Sequence, residues 1–195
     1  VYPQSEGKVT SIVGQGWAPK AATIDAYIRD GKNLNGAGLN PAVVPGALHA
    51  ALTVLERWGT MSFESVAARA ISYAKEGFPL RPRTAQSIRR EKQFISQWPH
   101  NRQYWLKPDG SHYLAGETIK LPTLANTLKK MVEAEQENKS LGREIGIAAA
   151  RDRFYRGDIA QEMLKFLQQN NAPFDESDFA EFYSRIETPT STTYR

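Results

Sequence analysis

Cysteine is absent from this 195-residue sequence, which excludes disulfides, thiolate nucleophiles and Cys-ligated zinc together. Histidine is scarce: His49, His100 and His112 lie far apart, with no Glu or second His at ligand spacing. A metal centre is therefore not expected, and each histidine reads as a solvated or capping residue. No apolar run approaches the roughly 20 residues that span a bilayer. The start, Val1-Tyr2-Pro3-Gln4, has neither the charged nor the hydrophobic region of a signal peptide. Without an initiating Met, the chain is expected to begin inside a longer, soluble precursor. Charge of one sign is also nearly lacking, since 25 basic against 21 acidic residues leave +4, too little to name a partner.

What is present suits one globular region, residues 1–195. Apolar residues make up 41% and charged residues 24%, and there is no internal repeat, low-complexity tract or clear boundary. Val9 to Val13 reads as a short strand ended by Gly14-Gln15-Gly16. Thr23 is placed to cap a short helix through Ile28, and a Gly-rich loop follows. From Pro45, Leu48, Ala51, Leu52, Leu55 and Trp58 share one helical face, with His49, Thr53, Glu56 and Arg57 opposite. Ser62 is placed to cap a second helix burying Phe63, Val66, Ala67, Ala70, Ile71 and Ala74, which Gly77 ends. Pro82 opens a third, which Pro99 closes.

Pro108-Asp109-Gly110, between Tyr104-Trp105-Leu106 and His112-Tyr113-Leu114, predicts a small hairpin. Pro122 opens a helix that dissolves into the polar run Glu133 to Gly142. Two helices meet near Gly157, one from about Arg143 to Phe154 and one burying Ile159, Met163, Leu164 and Leu167. Asp175 and Asp178 resemble a capping box, with Phe174 and Phe179 as its hydrophobic staple. Arg185 to Arg195 is Thr-rich and β-prone. The fold class expected is mainly α with a few peripheral strands (α+β).

Few motifs carry chemistry. Gly14-Gln15-Gly16 lacks the helix a dinucleotide fingerprint needs, because Pro19 interrupts. Asn138-Lys139-Ser140 is a glycosylation sequon in form only. A Ser-His-Asp triad is recognised by geometry, so none is assigned. Positive charge concentrates between Arg81 and Lys107, where seven Lys/Arg face Glu91 alone; that stretch is +6, and the rest of the chain, from the +4 total, is −2. Trp98, Tyr104 and Trp105 are interleaved with it, as in proteins that hold single-stranded nucleic acid. Because the charge divides between a helix and a hairpin and forms no recognised module, a solvated face over packed aromatics is favoured, and no nucleic acid is expected.

Several segments, in order, resemble the large subunit of the γ-glutamyltransferase family. They are Val44-Pro45-Gly46, Trp58-Gly59-Thr60, Ala70 through Leu80, Leu121-Pro122-Thr123-Leu124-Ala125-Asn126-Thr127-Leu128, Phe154-Tyr155-Arg156-Gly157-Asp158-Ile159-Ala160, Asp178-Phe179 and Thr193-Tyr194-Arg195. The resemblance covers nearly the whole chain. It implies the helical part of an αββα N-terminal-nucleophile hydrolase, whose precursor cleaves itself. A Thr at the start of the small subunit then attacks an amide, with its own amino group as base. The partners implied are that small subunit and a small amide or γ-glutamyl substrate; no cofactor is implied. A periplasmic or secreted setting follows from the family, while the residues leave the cytoplasm open.

No catalytic residue falls in this chain on that reading. One substrate-binding position does. Members acting on γ-glutamyl compounds carry an Arg four residues before the Pro of an Ala-Pro pair, where it holds the substrate α-carboxylate. Gln15, ahead of Ala18-Pro19, stands there instead. The chain also has more residues than the family pattern between Leu128 and Phe154, which suggests a surface loop around Glu135 to Gly142. Arg69 stands where many members have Pro and reads as a helical surface position. The competing reading is a non-catalytic helical binding module that uses the basic and aromatic 81–107 surface.

Overall fold

The structure, a computed structural model, describes residues 1–32, 34 and 36–194; Arg195, at the end of the Thr-rich tail, lies outside them. In chain order the described elements are β1 (Ser11–Ile12), α1 (Ile24–Arg29), α2 (Ala47–Trp58), α3 (Phe63–Glu76), β2 (Phe78–Pro79), α4 (Pro82–Arg90), α5 (Lys92–Ile95) and α6 (Pro99–Trp105). There follow β3 (Thr118–Ile119), α7 (Pro122–Asn138), a 3-10 turn (Lys139–Leu141), α8 (Arg143–Tyr155), α9 (Asp158–Gln169), α10 (Glu176–Ala180) and β4 (Ile186–Glu187). Helices dominate and the strands are short, as the sequence implies. The chain divides into two compact units, Val1–Ser65 with Lys130–Arg195, and Val66–Lys129.

In the first unit, β1 and β4 pair antiparallel, Ser11 opposite Glu187 and Ile12 opposite Ile186. The Thr23 hydroxyl caps α1 by accepting from the Ala26 N–H at 3.2 Å. At α10, Asp175 and Asp178 form the expected capping box, and the Phe174 and Phe179 rings meet at 5.9 Å across it. The core face of α2 differs from the apolar stripe. His49 and Leu52 are its buried residues, while Ala51 is exposed. The reason lies on α8: Arg143 donates to the Leu55 and Glu56 carbonyls at 2.9 and 2.8 Å, and Arg151 pairs with Glu56. These bonds hold the polar face of α2 inward.

The polar run after Glu133 is helix, not loop, since α7 continues to Asn138. Ala134 and Glu135 are buried there. The Glu135 carboxylate accepts from the Phe63 N–H at 2.6 Å and from the Glu64 N–H at 2.7 Å. Ser62 accepts from the Ser65 N–H at 3.1 Å. The unpaired donors at the start of α3 are thus met by a local hydroxyl and by a carboxylate from another helix. Close approach of α7 and α8 needs Gly146, where a Cβ would meet the Glu135 Cγ at 3.1 Å and its carbonyl at 3.2 Å. The Asn138 amide of the sequon donates to the Ala134 carbonyl at 2.9 Å.

The second unit is organised on Leu80, Ala85, Ile88, Leu106 and Ile119, with Phe78, Ile95, Trp105 and Tyr113 packed around them. Burial of these side chains supplies the unit's main driving force. β2 and β3 pair antiparallel, Phe78 with Ile119 and Pro79 with Thr118. Gly77, at φ +102°, makes the turn into β2, and a Cβ there would lie 2.4 Å from the Thr118 methyl. Within the expected stripe of α3, Phe63, Ala67 and Ala74 are buried, but Val66 is 46% exposed. Instead of closing a helix, Pro99 opens α6, because its missing N–H suits the first helical turn. Tyr104 and Trp105 are therefore helical, and the expected hairpin reduces to one bridge, Leu106 to His112, closed by the Lys107 N–H donating to the Ser111 carbonyl at 2.9 Å.

Candidate functional site

Gln15 lies on an irregular segment, residues 13–19, that leaves β1 and passes against the start of α2. The segment is fixed at several points. The Val13 N–H donates to the Arg185 carbonyl at 2.9 Å, and the Val44 N–H donates to the Trp17 carbonyl at 2.9 Å. The Trp17 ring meets Phe182 at 5.2 Å and Tyr183 at 4.9 Å, edge to face. Beyond Pro19, the Lys20 N–H donates to Asp178 at 2.8 Å, and the Lys20 ammonium pairs with Glu181 at 2.7 Å.

Glycines allow the approach. A Cβ on Gly16 would lie 1.8 Å from the Val44 carbonyl oxygen, and one on Gly46 would lie 2.7 Å from the Gly14 oxygen and 2.9 Å from the Gly16 nitrogen. Backbone therefore lies on backbone, which a side chain at either position forbids. Between these anchors Gln15 is exposed, and no described residue bonds its side chain.

Gly46 is also the N-cap of α2, and it offers no side-chain acceptor. Tyr155, at the end of α8, takes that role. Its hydroxyl accepts from the His49 N–H at 3.0 Å, at the third residue of α2, and donates to the Pro45 carbonyl. Tyr155 is 2% exposed, and burial raises its hydroxyl pKa to about 12. It therefore keeps its proton and acts as donor and acceptor at once.

His49 is not the solvated residue expected from its place among polar neighbours. It is 9% exposed, edge-on to Tyr155 at 5.4 Å and to Phe182 at 5.5 Å. Its Nδ1 accepts from the Ser184 N–H at 3.2 Å, which places the ring proton of the neutral form on Nε2. Burial, aided by the Arg151 charge, lowers its pKa to about 4. One cluster thus joins the entry of α2, the end of α8 and the segment leading to β4. No sequence spacing announces it, although Tyr155 stands in the most distinctive family-like segment.

Part of the basic stretch is neutralised by acidic partners. Arg81, Arg83, Arg89 and Lys92 are exposed, but Arg90 pairs with Glu91 at 2.8 Å and Lys107 with Glu117 at 2.6 Å. Trp105 packs against the core, and Phe94 takes up Trp98 at 4.6 Å. No group of three or more His, Asp or Glu suited to a metal occurs among the described residues. No described helix is long and apolar enough to cross a membrane.

The predominance of helix, with few and short strands, fits the helical large-subunit portion of the N-terminal-nucleophile hydrolase fold. A family profile described as gamma-glutamyltranspeptidase matches residues 1–195, and the chain belongs to that family. It is 26% identical over 196 residues to a protein named glutathione hydrolase-like YwrD proenzyme from Bacillus subtilis, an alignment covering 100% of this chain and 34% of that protein. Cephalosporin acylase from Bacillus halodurans superposes with a TM-score of 0.80 at 26% identity, over 97% of this chain and 34% of the other. Gamma-glutamyltranspeptidase from Helicobacter pylori shares the fold, with a TM-score of 0.83 at 20% identity over 98% of this chain and 52% of that one. The chain spans about a third of the length of the curated relatives it matches.

Proposed function

We propose that this chain is the helix-rich part of the large subunit of a γ-glutamyltransferase-like enzyme that hydrolyses or transfers the acyl group of γ-glutamyl or related small amides. The nucleophilic Thr, on this reading, belongs to a small subunit of the same precursor, outside these residues. The observation that carries it is the family match along residues 1–195. A Thr hydroxyl is a poor nucleophile until a neighbouring amine takes its proton, and the acyl-enzyme then passes to water or to an acceptor amine. No cofactor is needed for that sequence.

Within this chain Gln15 is the substrate-binding residue. Its exposure on a backbone held at both ends supports the assignment. The amide donates hydrogen bonds to a carboxylate but brings no charge, so the free γ-glutamyl group is held less firmly than by a guanidinium. Names among the relatives are consistent with a broad choice of amide, since both glutathione hydrolases and a cephalosporin acylase occur. Gln15→Arg in the complete protein is expected to raise kcat/KM for a γ-glutamyl anilide relative to a simple amide. An unchanged ratio removes the charge argument, and no amide turnover by the parent protein removes the enzyme reading.

A binding module is the second reading, favoured by the exposure of Arg81, Arg83, Arg89 and Lys92. It requires affinity for a short single strand that weakens as salt rises. No binding at low salt eliminates it.

A further inference from the structure

Gly46 creates a difficulty that the chain solves from a distance. Its missing Cβ admits the Gly14–Gly16 backbone, but the same absence deprives α2 of a side-chain cap. The first N–H groups of a helix have no partner inside it. At α2 the third of them, on His49, is satisfied by the Tyr155 hydroxyl, 106 residues away. The same hydroxyl donates to the Pro45 carbonyl, immediately beside the Val44 peptide that receives Gly16 and bonds Trp17.

We propose that Tyr155 is a positioning residue for the substrate contact: by joining Pro45 and His49 through one hydroxyl, it holds the Val44–Gly46 ledge on which the Gln15 segment rests. His49 completes the brace. Its backbone bonds Tyr155 and its ring accepts from the Ser184 N–H at 3.2 Å, so the ledge is tied to the segment that also carries Arg185, the partner of Val13. Both flanks of Gln15, Val13 on one side and Gly16 with Trp17 on the other, are therefore referred to the same buried cluster. The Tyr155 ring fills space independently of its hydroxyl, since it stacks on Phe182 at 5.7 Å and meets Phe154 at 4.8 Å. Tyr155→Phe removes the two hydrogen bonds while leaving that packing.

This inference rests on Gln15 touching substrate, and a double-mutant cycle separates the two claims. The complete protein, with Gln15→Ala, Tyr155→Phe and both together, is assayed with a γ-glutamyl anilide, and thermal midpoints are taken on the same preparations. KM does not depend on how much protein is folded, so it reports placement and not yield. Tyr155→Phe is expected to raise KM roughly fivefold to tenfold, the worth of about one lost hydrogen bond, with kcat within about twofold of the parent. In the Gln15→Ala background the same change is expected to leave KM unaltered.

If Gln15→Ala leaves KM at the parental value, or the parent turns over no anilide, the Gln15 reading fails and this inference with it. If Gln15→Ala raises KM but Tyr155→Phe lowers only the thermal midpoint, Tyr155 is structural alone and the inference is overturned. Equal KM effects of Tyr155→Phe in both backgrounds overturn it as well, because the tyrosine then does not act through Gln15.

Discussion

Replacing Glu135 with Ala tests whether α7 builds the start of α3. The Glu135 side chain accepts from Phe63 and Glu64 at 2.6 and 2.7 Å, and the first of these bonds is buried. A hydrogen bond to a charged group contributes about 1.5–3 kcal/mol net, and an orphaned buried donor costs about 1–3 kcal/mol. The bond of the Phe63 N–H is buried, so its loss falls near the upper part of that range. The Glu64 N–H is partly buried and recovers some solvation. The sum expected is about 3–4 kcal/mol, a large share of the roughly 5–15 kcal/mol that holds a typical domain. Glu135→Gln keeps one acceptor oxygen but turns an amide N–H toward the second donor, so about 2 kcal/mol is expected. Urea unfolding of the complete protein measures both, with the midpoint falling and the slope unchanged. A loss below about 0.5 kcal/mol for Glu135→Ala, or unaltered hydrogen exchange at Phe63 and Glu64, refutes the reasoning.

His49 and Asp158 predict separate acid windows. The folded-state pKa of His49 is about 4 against an ordinary 6.5, so below pH 6.5 the unfolded chain takes up the proton first and stability falls until about pH 4. The drop expected is about 3 kcal/mol from that residue, and His49→Gln is expected to flatten the pH 4–6.5 part of a stability profile; an unchanged profile contradicts the buried neutral imidazole. Asp158, lowered to about 2 by hydrogen bonds from Arg153 and Lys130, contributes stability above its ordinary 3.8 that is lost as pH falls through 2, and Asp158→Asn removes that lower limb. Gly16→Ala places a methyl against the Val44 carbonyl and is expected to cost at least about 2 kcal/mol or displace the Gln15 segment; a thermal midpoint and KM both at the parental value rule out the close packing. Gly77→Ala meets both a positive φ and the Thr118 methyl, so a loss of about 1–3 kcal/mol is expected, and an equal or higher midpoint counts against strain there.

Local rules act over one turn of chain, and where the structure obeys them the residues announced it. Thr23 caps α1, Asp175 and Asp178 box α10, and Pro82 and Pro122 open α4 and α7. Each of these depends on neighbours three or four positions away, so the amino-acid order suffices. The α7 extension was hidden because a polar run reads as solvated, and nothing local shows that Glu135 has backbone donors to meet. The buried face of α2 departs from its apolar stripe for a similar reason: Arg143 and Arg151 on α8 satisfy Glu56 and the helix carbonyls, and a hydrophobic stripe cannot report partners from another helix.

At the site, the family-like spacing singled out Gln15 and placed Tyr155 in a distinctive segment, but assigned the tyrosine no task. The sequence by itself determined where most of the described helices start, and that three glycines stand at positions 14, 16 and 46. Only the tertiary structure decided that these glycines meet. Two helix starts are completed from afar, by Tyr155 across 106 residues and by Glu135 across 72. The physical reason is that a helix leaves its first N–H groups unpaired whatever its sequence, and the nearest acceptor is chosen by packing, which brings together residues that chain order keeps apart.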